Sequence, residues 1–389
     1  MDPSEKIRGI KSTLLKDKKI ALGITGSVSA EETVKLAREL IRHGAYVYPI
    51  MSEESLKIIT PTSLQFATGK EPITEITGLT EHVLLEEECD LLLIAPCSAN
   101  TISKISYGIG DTTVTLFALT FLGSKQILIA PAMSGTMWKN PIIVENIKKL
   151  KSVGVNFIDP KIEEGKAKLP DIETIVANTI RLLNNRFNGK RVLVIGGATE
   201  EPIDDVRVIT NRSSGGTSIE IAKAFFMHGA QTTLLLGRTE IKPPDYIRLE
   251  RFKSLEDLIS MIDEMKNFDL IIVPAAISDF KVLKSEGKIK SNKPFTLELV
   301  PTPKFLENLR KKYTGDLIAF KAEFDENRII EEARQMIEKY NLEFVVGNRL
   351  TDVKENQTSI LIINKDNVRK FTGTKFEAAI EIMNEYIQR

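Results

Sequence analysis

One short loop of this sequence combines the residue types that would bind a phosphorylated, carboxylate-bearing substrate. Residues 210–216 read Thr-Asn-Arg-Ser-Ser-Gly-Gly and stand immediately before a helical pattern. The loop places the amide of Asn211, the guanidinium of Arg212 and the hydroxyls of Ser213 and Ser214 beside glycine. Glycine lets a ligand approach the backbone, and the N–H groups at a helix start favour an anion. A Gly-Gly turn after a buried strand is the plainer interpretation, but such a turn requires none of these polar side chains.

A second loop, residues 274–280, brings small side chains and one carboxylate to the end of an apolar run. It reads Pro-Ala-Ala-Ile-Ser-Asp-Phe, so that Ala275 and Ala276 leave room for a base or a ribose. Asp279 offers a ligand for sugar hydroxyls or a divalent cation. Several lysines follow closely, among them Lys288. A lysine cluster is usually a solvated surface, but this one lies beside a carboxylate and beyond a predicted strand, where a triphosphate would need countercharge.

The first half of the chain contains the candidate acid–base group. His43 and His228 each stand in the last turn of a predicted helix, where an imidazolium complements the helix dipole. His82 instead lies between an irregular stretch and a helical pattern. We interpret it as the candidate general acid or base, with a surface histidine as the alternative.

Two further loops of the first half end predicted strands. Residues 96–101 read Pro-Cys-Ser-Ala-Asn-Thr and open a helix, so their hydroxyls and amide are placed to hold a phosphate or a ribityl chain. Residues 130–138 carry two methionines and the only tryptophan. Such side chains suit either core packing or a flat heterocycle.

The elements that must position these loops alternate between apolar strands and amphipathic helices. This alternation predicts an α/β protein with two Rossmann-like domains whose sheets are mostly parallel, and with ligand sites beyond the carboxyl ends of the strands. The polar stretch 184–189 is the predicted linker between a domain at 18–183 and a domain at 190–389, and residues 1–17 form a predicted N-terminal arm. The predicted strands lie at 19–24, 46–51, 90–96, 126–130, from 190, 231–237, 269–273, 317–320, 344–347 and 359–363, and segments 288–291 and 294–300 are predicted to pair as a two-stranded arm.

Composition excludes several classes of protein. The 389 residues are 42% hydrophobic and 27% charged, and no apolar run approaches the roughly 20 residues of a membrane span. The N-terminus lacks the apolar core of a signal peptide, so we expect a cytoplasmic location. Lys plus Arg equals Asp plus Glu at 53 each, which argues against a nucleic-acid partner. Cys89 and Cys97 are expected to be reduced thiols, and the sequence has neither a P-loop nor a His/Cys zinc pattern.

Taken together, these motifs resemble a known family. It comprises the bifunctional flavoproteins of coenzyme A biosynthesis, in which phosphopantothenoylcysteine decarboxylase is fused to phosphopantothenate–cysteine ligase. The first half matches in ITGSVSA, His82, PCSANTISKISYGIGD and PAMSGTMW. The second half matches more specifically, in GGATEEPIDDVRVITNRSSG, AAISDF, GKIK, PTPKFL and AFKAE. The resemblance implies a flavodoxin-like flavoprotein domain followed by a ligase domain.

For the second half, the resemblance implies that CTP and Mg²⁺ activate the carboxylate of 4′-phosphopantothenate as an acyl-cytidylate, which the amine of cysteine then attacks. Asn211 matches the residue that steadies this intermediate, Arg207 would bind substrate, and Lys288 would bind phosphate. Asp279 is the implied magnesium ligand and also a nucleotide contact. The other implied nucleotide contacts are Ala275, Ala276, Pro303, Lys304, Phe305, Leu306 and Phe320. The choice between CTP and ATP stays open, since backbone groups can read a base edge.

For the first half, the resemblance implies oxidation of the cysteinyl side chain by FMN, loss of carbon dioxide and return of a hydride. His82 matches the histidine of that reaction, and Ser134 and Met137 match substrate contacts. The implied FMN contacts are Gly26, Ser27, Ser29, Ser52, Ser98, Asn100, Thr101 and Met133.

Two departures from the family pattern bear on the decarboxylase. Ser134 stands where the family usually has an asparagine, and the lid segment 163–168 lacks the usual proton-donating cysteine. Either another group donates the proton, or the reaction stops at an oxidised product, or the domain is a flavin-binding regulatory remnant. An NAD(P)-dependent reductase is a further alternative, but neither half has a complete Gly-x-Gly-x-x-Gly after its first strand.

The resemblance also implies partners. The substrates would be 4′-phosphopantothenate, cysteine and CTP. The chain would form homo-oligomers that combine trimers of the first half with dimers of the second, in the extreme a dodecamer. No nucleic acid or membrane is expected to take part.

Overall fold

A computed structural model describes residues 2–283, 287–290, 296–349, 351 and 357–388. Contacts divide the chain into two units, Met1–Asn184 and Asn185–Arg389. Each unit is an α/β sandwich, as predicted. Among the described residues, no helix has both the length and the apolarity that crossing a membrane would require.

The first unit is organised around a parallel sheet with the strand order β2-β1-β3-β4-β6. Its central strands are covered on both faces, so Ile20, Leu22 and Leu93 are fully buried. This explains why these strands are apolar throughout instead of alternating. The strands of this unit are β1 (Lys19–Ile24), β2 (Tyr46–Met51), β3 (Leu91–Cys97), β4 (Gln126–Pro131), β5 (Met133–Ser134), β6 (Asn156–Phe157), β7 (Lys161–Glu163) and β8 (Lys166–Lys168).

Helices cover both faces of this sheet. They are α1 (Thr33–Arg42), α2 (Glu53–Leu56), α3 (Pro61–Thr68), α4 (Glu81–Glu88), α5 (Ala99–Ser106), α6 (Thr113–Phe121), α7 (Gly135–Trp138), α8 (Pro141–Ser152) and α9 (Ile172–Leu183), with short 3₁₀ turns at Glu5–Ile7 and Val28–Glu32. The segment predicted as an N-terminal arm packs against the end of α1. Leu15 is fully buried, and its N–H donates to the carbonyl of His43 at 2.8 Å.

The second unit contains a sheet with the order β13-β12-β9-β14-β17-β18-β19-β20. Its strands run parallel from β13 to β18, whereas β19 and β20 are antiparallel at one edge. The sequence prediction included β19 but missed β20, whose residues are mostly half-buried or exposed and carry little apolar signal. The strands are β9 (Arg191–Gly196), β10 (Glu200–Pro202), β11 (Val208–Thr210), β12 (Gln231–Leu236), β13 (Arg248–Arg251), β14 (Leu270–Val273), β15 (Phe280–Val282), β16 (Leu299–Pro301), β17 (Asp316–Glu323), β18 (Phe344–Arg349), β19 (Gln357–Ile363) and β20 (Val368–Thr374).

The helices of the second unit form two layers. One core cluster joins the sheet to α10 and α15, and the other joins it to the remaining helices. The helices are α10 (Gly216–Met227), α11 (Leu255–Ser260), α12 (Ile262–Met265), α13 (Phe305–Lys312), α14 (Glu326–Tyr340) and α15 (Lys375–Ile387). Ser254 caps α11 as predicted, because its hydroxyl accepts the N–H of Asp257.

The predicted two-stranded arm differs from what the structure describes. Residues 291–295 lie outside the described part of the chain, and residues 288–290 are not in a strand. The antiparallel pair instead joins β15 to β16, with Phe280 opposite Pro301. Of the segment predicted as the second strand of the arm, Leu299 and Val300 lie in a described strand, and their partners are in β15.

Candidate active sites

The first candidate site lies where the strand order of the first unit reverses. The strand β1 is flanked by β2 and β3, and in such sheets ligands bind beyond the carboxyl ends of the strands at this switch point. The loops after these strands are tied together. Thr25 Oγ1 donates to the carbonyl of Pro96 at 2.8 Å and accepts the N–H of Ser98 at 2.9 Å. The N–H of Ser52 donates to the carbonyl of Ile24 at 3.0 Å.

The predicted FMN contacts all belong to these loops or to the loop after the next strand. Gly26, Ser27 and Ser29 follow β1, Ser52 follows β2, Ser98, Asn100 and Thr101 follow β3, and Met133 follows β4. Among the described residues, the Ser52 hydroxyl is buried and has no hydrogen-bond partner. A buried polar group of this kind requires a ligand or water to satisfy it. The carboxyl end of this sheet therefore fits a polar ligand such as the ribityl phosphate of a flavin.

The hydroxyl of Ser98 already has a structural role. It caps α5 by accepting the N–H of Thr101 at 3.3 Å, and it lies 3.0 Å from the Thr101 hydroxyl. Asn100, in contrast, is exposed at the start of the same helix. The first turn of α5 therefore presents backbone N–H groups and one free amide at the sheet edge, which suits an anion.

His82 lies at the same edge, because α4 runs back toward the start of β3. Its ring packs edge-on against Phe117 of α6, with the centroids 6.4 Å apart. Its Nδ1 is buried and has no hydrogen-bond partner in the described part of the chain. The ring is thus held by packing while one nitrogen stays available for a ligand.

A hairpin stands beside the loop that follows β4. The strand β8 pairs with β5 on one side and with β7 on the other, so that Ser134 of β5 lies opposite Lys166 of β8. A Cβ at Gly135 would lie only 1.8 Å from the carbonyl oxygen of Gly165, which shows how closely the two backbones approach. The Ser134 hydroxyl accepts the N–H of Met137 at 3.4 Å, and the Met137 side chain is exposed.

The hairpin lacks the family's proton-donating cysteine, and the ionisation of its charged side chains decides which of them could donate a proton instead. Hydrogen bonds from the amines of Lys161 and Lys168 hold the pKa of Glu163 below its ordinary value. The Lys161 and Lys168 pKa values are raised by their hydrogen bonds to Glu163 and Glu164. Glu163 therefore stays ionised at neutral pH and is a poor proton donor, whereas the lysines stay protonated.

The second candidate site lies at the corresponding switch point of the second unit, where β9 is flanked by β12 and β14. The amide Nδ2 of Asn211 donates to the carbonyl of Ala276 at 3.2 Å. Ala276 in turn donates its N–H to the carbonyl of Gly197 at 2.8 Å. The structure therefore brings the two loops singled out in the sequence, and the glycine turn after β9, into direct contact.

Thr199, which no sequence motif singled out, holds these loops in register. It is fully buried, its hydroxyl accepts the N–H of Ser278 at 3.0 Å, and its carbonyl accepts the Thr210 hydroxyl at 2.8 Å. No sequence signal indicates this role, since a threonine after a Gly-Gly turn has no distinguishing feature until its partners are known.

A buried carboxylate connects Arg207 with the segment that carries Lys288. Arg207 Nη1 donates to Asp204 at 2.7 Å and to the carbonyl of Ile289 at 3.2 Å. Burial alone would raise the pKa of Asp204, but N–H donors from Val206, Ile289 and Arg207 outweigh it and lower the pKa to about 2. Asp205 accepts the N–H of Gly287 at 3.1 Å. Lys288 is itself exposed. Its neighbours Gly287 and Ile289 are held by hydrogen bonds from their backbone N–H groups to Asp205 and Asp204.

Asp279 does not form a metal centre with neighbouring side chains. It is exposed, and its carboxylate pairs with the Lys304 amine at 2.5 Å. No group of three or more His, Cys, Asp or Glu side chains that could hold a metal ion occurs in the described ranges. A magnesium ion would therefore have to obtain most of its ligands from substrate phosphates and water.

The other predicted nucleotide contacts differ in accessibility. Pro303 and Lys304 are exposed, Leu306 and Phe320 are half-buried, and Ala275 borders the core. Phe305 is the first residue of α13. It is only 3% exposed and packs in the core, so its ring is not available to a ligand in this conformation. The resemblance that implied a nucleotide contact at Phe305 could not show which face of α13 is buried.

Comparison with known proteins matches each half of the chain to a family model. Residues 8–184 match the family model "Flavoprotein", and residues 187–389 match "DNA/pantothenate metabolism flavoprotein C-terminal domain". The chain is 44% identical to the coenzyme A biosynthesis bifunctional protein CoaBC of Thermococcus kodakarensis, covering 97% of each chain. It is 42% identical to the CoaBC of Methanocaldococcus jannaschii, covering 99% of this chain and 97% of that one.

The chain belongs to the family of coenzyme A biosynthesis bifunctional proteins. It is therefore a multifunctional flavoprotein enzyme with a decarboxylase half and a ligase half, and the hypothesis of a purely regulatory first half is not favoured. A solved C-terminal domain of CoaBC is also similar, with 29% identity and a TM-score of 0.45, covering 53% of this chain and 98% of that structure. The resemblance inferred from the sequence motifs is confirmed.

Proposed function

We propose that the second unit joins 4′-phosphopantothenate to cysteine at the expense of CTP, and that the first unit decarboxylates the product with FMN. The observation that supports the ligase assignment best is the contact between Asn211 and Ala276, which places an amide where two loops and the start of α10 meet. Family membership supports the pairing of the two activities.

In the ligase reaction, the carboxylate oxygen of 4′-phosphopantothenate attacks the α-phosphorus of CTP and pyrophosphate leaves. The amine of cysteine then attacks the acyl carbon, and CMP leaves. Asn211 would donate a hydrogen bond to the acyl oxygen, on which negative charge builds when the amine of cysteine attacks. Arg207 would bind substrate, and Lys288, held between anchored neighbours, would neutralise the phosphate chain.

A magnesium ion would enter with the nucleotide. Asp279 is the single carboxylate proposed to reach it, and its present partner Lys304 would have to release it. Mg²⁺ commonly binds through one or two carboxylates plus phosphates, so this donor set is sufficient.

In the decarboxylase reaction, bound FMN would supply the two-electron oxidation and re-reduction that loss of carbon dioxide requires. The loops after β1, β2 and β3 would hold its polar chain, with Ser52 satisfied by that ligand. His82 would exchange a proton at its available nitrogen, and Ser134 and Met137 would contact the substrate beside the hairpin. Lys166, which lies opposite Ser134 in the pairing of β8 with β5, is a cation on the strand next to that contact.

The test is to incubate the protein with 4′-phosphopantothenate, cysteine, magnesium and either CTP or ATP, and to identify the products by mass. We expect phosphopantothenoylcysteine and CMP with CTP, followed by loss of carbon dioxide. Asn211→Ala should abolish ligation while the flavin colour and the decarboxylation of added phosphopantothenoylcysteine persist. Ligation at the wild-type rate in this variant would remove Asn211 from its role.

We further propose that the protein works as a homo-oligomer in which the first units form trimers and the second units form dimers. Mass measurement in solution tests this, and a monomeric mass would contradict it.

A further inference from the structure

Lys375 is a buried cation whose position the proposed chemistry does not yet use. It is the first residue of α15 and is only 9% exposed. Lysine is among the residues least often buried unless it is paired. In the described part of the chain its amine has no protein hydrogen bond or ion pair, although the nitrogen itself is not sealed from solvent.

The amine points at the start of another helix. A Cβ added at Gly216, the first residue of α10, would lie 3.2 Å from Lys375 Nζ and 3.5 Å from Ser214 Oγ. An ammonium and a hydroxyl thus flank the same point beside the first turn of α10. The absence of a side chain at Gly216 leaves that point accessible.

The electrostatics of this position are unfavourable without a ligand. Helix N-termini carry partial positive charge, and the amine lies at the starts of both α10 and α15. A cation placed there is repelled by both helix dipoles. The nearest capping carboxylate, Glu377, already accepts from the N–H and the hydroxyl of Thr374. An anion bound between these groups would pair with the amine and complement both helix starts.

We propose that Lys375 binds a phosphate group of a ligase substrate, together with the Ser214 hydroxyl and the backbone N–H groups that begin α10. This inference rests on the proposed ligase function and extends it to a residue that lies 164 positions after Asn211 along the chain. The loop that begins with Asn211 leads directly into α10, so the anion at Lys375 belongs to the same substrate complex. Its source is either the nucleotide or 4′-phosphopantothenate.

The test compares Lys375→Met and Lys375→Arg with the wild type in the full-length flavoprotein. Lys370→Met is the matched control, since Lys370 is exposed and pairs with Glu326 on the same unit. Affinities are measured calorimetrically for CTP, CMP and cytidine, for 4′-phosphopantothenate and pantothenate, and for tripolyphosphate. Losing a charge-assisted hydrogen bond should weaken binding on the order of tenfold to hundredfold.

We expect Lys375→Met to weaken the binding of one phosphate-bearing substrate and of tripolyphosphate, and to leave the affinities for cytidine and pantothenate unchanged. Lys375→Arg should keep part of the lost affinity. A loss confined to CTP identifies the nucleotide as the source, and a loss confined to 4′-phosphopantothenate identifies that substrate. Equal affinities in wild type and Lys375→Met for every phosphate-bearing compound would overturn the inference. If the wild type bound neither substrate, the ligase proposal would fail, and the tripolyphosphate comparison alone would decide the role of Lys375.

Stability without ligand provides a second readout. If Lys375 served only the fold, Lys375→Met would lower the melting temperature of the ligand-free protein. Because the amine is repelled by two helix starts, we expect the melting temperature to stay equal or to rise, while the stabilisation by added substrate becomes smaller. A lower melting temperature combined with unchanged substrate stabilisation would contradict the proposal.

Discussion

The carboxylate of Asp204 accepts the backbone N–H of Ile289 at 3.1 Å, although 85 positions separate these residues in the chain. The same carboxylate binds Arg207, whose guanidinium also reaches the carbonyl of Ile289. The Asp204 side chain is completely shielded from solvent. One buried anion therefore fixes the segment that carries Lys288, without itself being placed to touch substrate.

Asp204→Asn should impair ligation, because an amide cannot accept all four hydrogen bonds that the carboxylate accepts from the backbone N–H groups of Val206, Arg207 and Ile289 and from Arg207 Nη1. We expect kcat/KM for the nucleotide to fall on the order of tenfold to hundredfold, mainly through KM. Asp245→Asn, at an exposed ion pair with Lys242, is the control. Decarboxylation of added phosphopantothenoylcysteine should not change, and an unaltered nucleotide KM would refute the positioning role.

Gly26→Ala should weaken flavin binding. A Cβ at Gly26 would lie 2.5 Å from the Cβ of Glu54, so the loop after β1 would have to move. Overpacking of this kind costs about 1–3 kcal/mol, which corresponds to roughly tenfold to hundredfold weaker binding if the strain falls on the flavin loop. Gly78→Ala is the matched control, because no heavy atom lies within 4 Å of its added Cβ. Flavin absorbance of the purified variants measures the effect, and equal flavin content in all three proteins would be inconsistent with it.

Both cysteines should be inert in the folded protein. Burial raises the pKa of Cys89 to about 12 and raises that of Cys97 further. Since the thiolate is the reactive form, N-ethylmaleimide at neutral pH should modify neither residue and should leave decarboxylation intact. Protein unfolded in urea should be modified at both positions, as mass spectrometry would show. Inactivation that accompanies alkylation of either cysteine would instead assign it a part in the reaction.

The second unit should lose stability in mild acid through His228. Burial lowers the pKa of His228 below its ordinary value of 6.5, against the opposing effect of the hydrogen bond to Ala224. The folded state therefore binds the proton less readily than the unfolded state. Stability is complete above the unfolded pKa and falls as the pH drops below it, by at most about 1.4 kcal/mol per pH unit.

His228→Asn removes this titration while its amide can still donate to the carbonyl of Ala224, which His228 Nδ1 approaches at 2.8 Å. Urea midpoints of the full chain measured at about pH 7.5 and about pH 5.5 test the expectation. The variant should show a smaller pH dependence than the wild type. An identical dependence would mean that other groups control the acid response.

The sequence alone predicted the α/β class, most central strands and the loops that end them. Strands such as β1 and β3 are buried on both faces, so their apolar runs are unambiguous. Edge elements were less predictable. β20 was missed, and the partner of Leu299 and Val300 was assigned wrongly, because half-exposed strands carry little apolar signal.

The candidate sites likewise contain some residues that could be recognised from the sequence and others that could not. The residue types of Asn211, Asp279 and His82 were informative by themselves, since an amide, a carboxylate and an imidazole in glycine-rich loops after strands already suggest ligands and proton transfer. The roles of Thr199, Asp204 and Lys375 depend on partners that are distant in sequence. Only the tertiary structure brings those partners together, because parallel sheets place the carboxyl ends of separated strands at one edge, and the order of the strands decides which loops meet there.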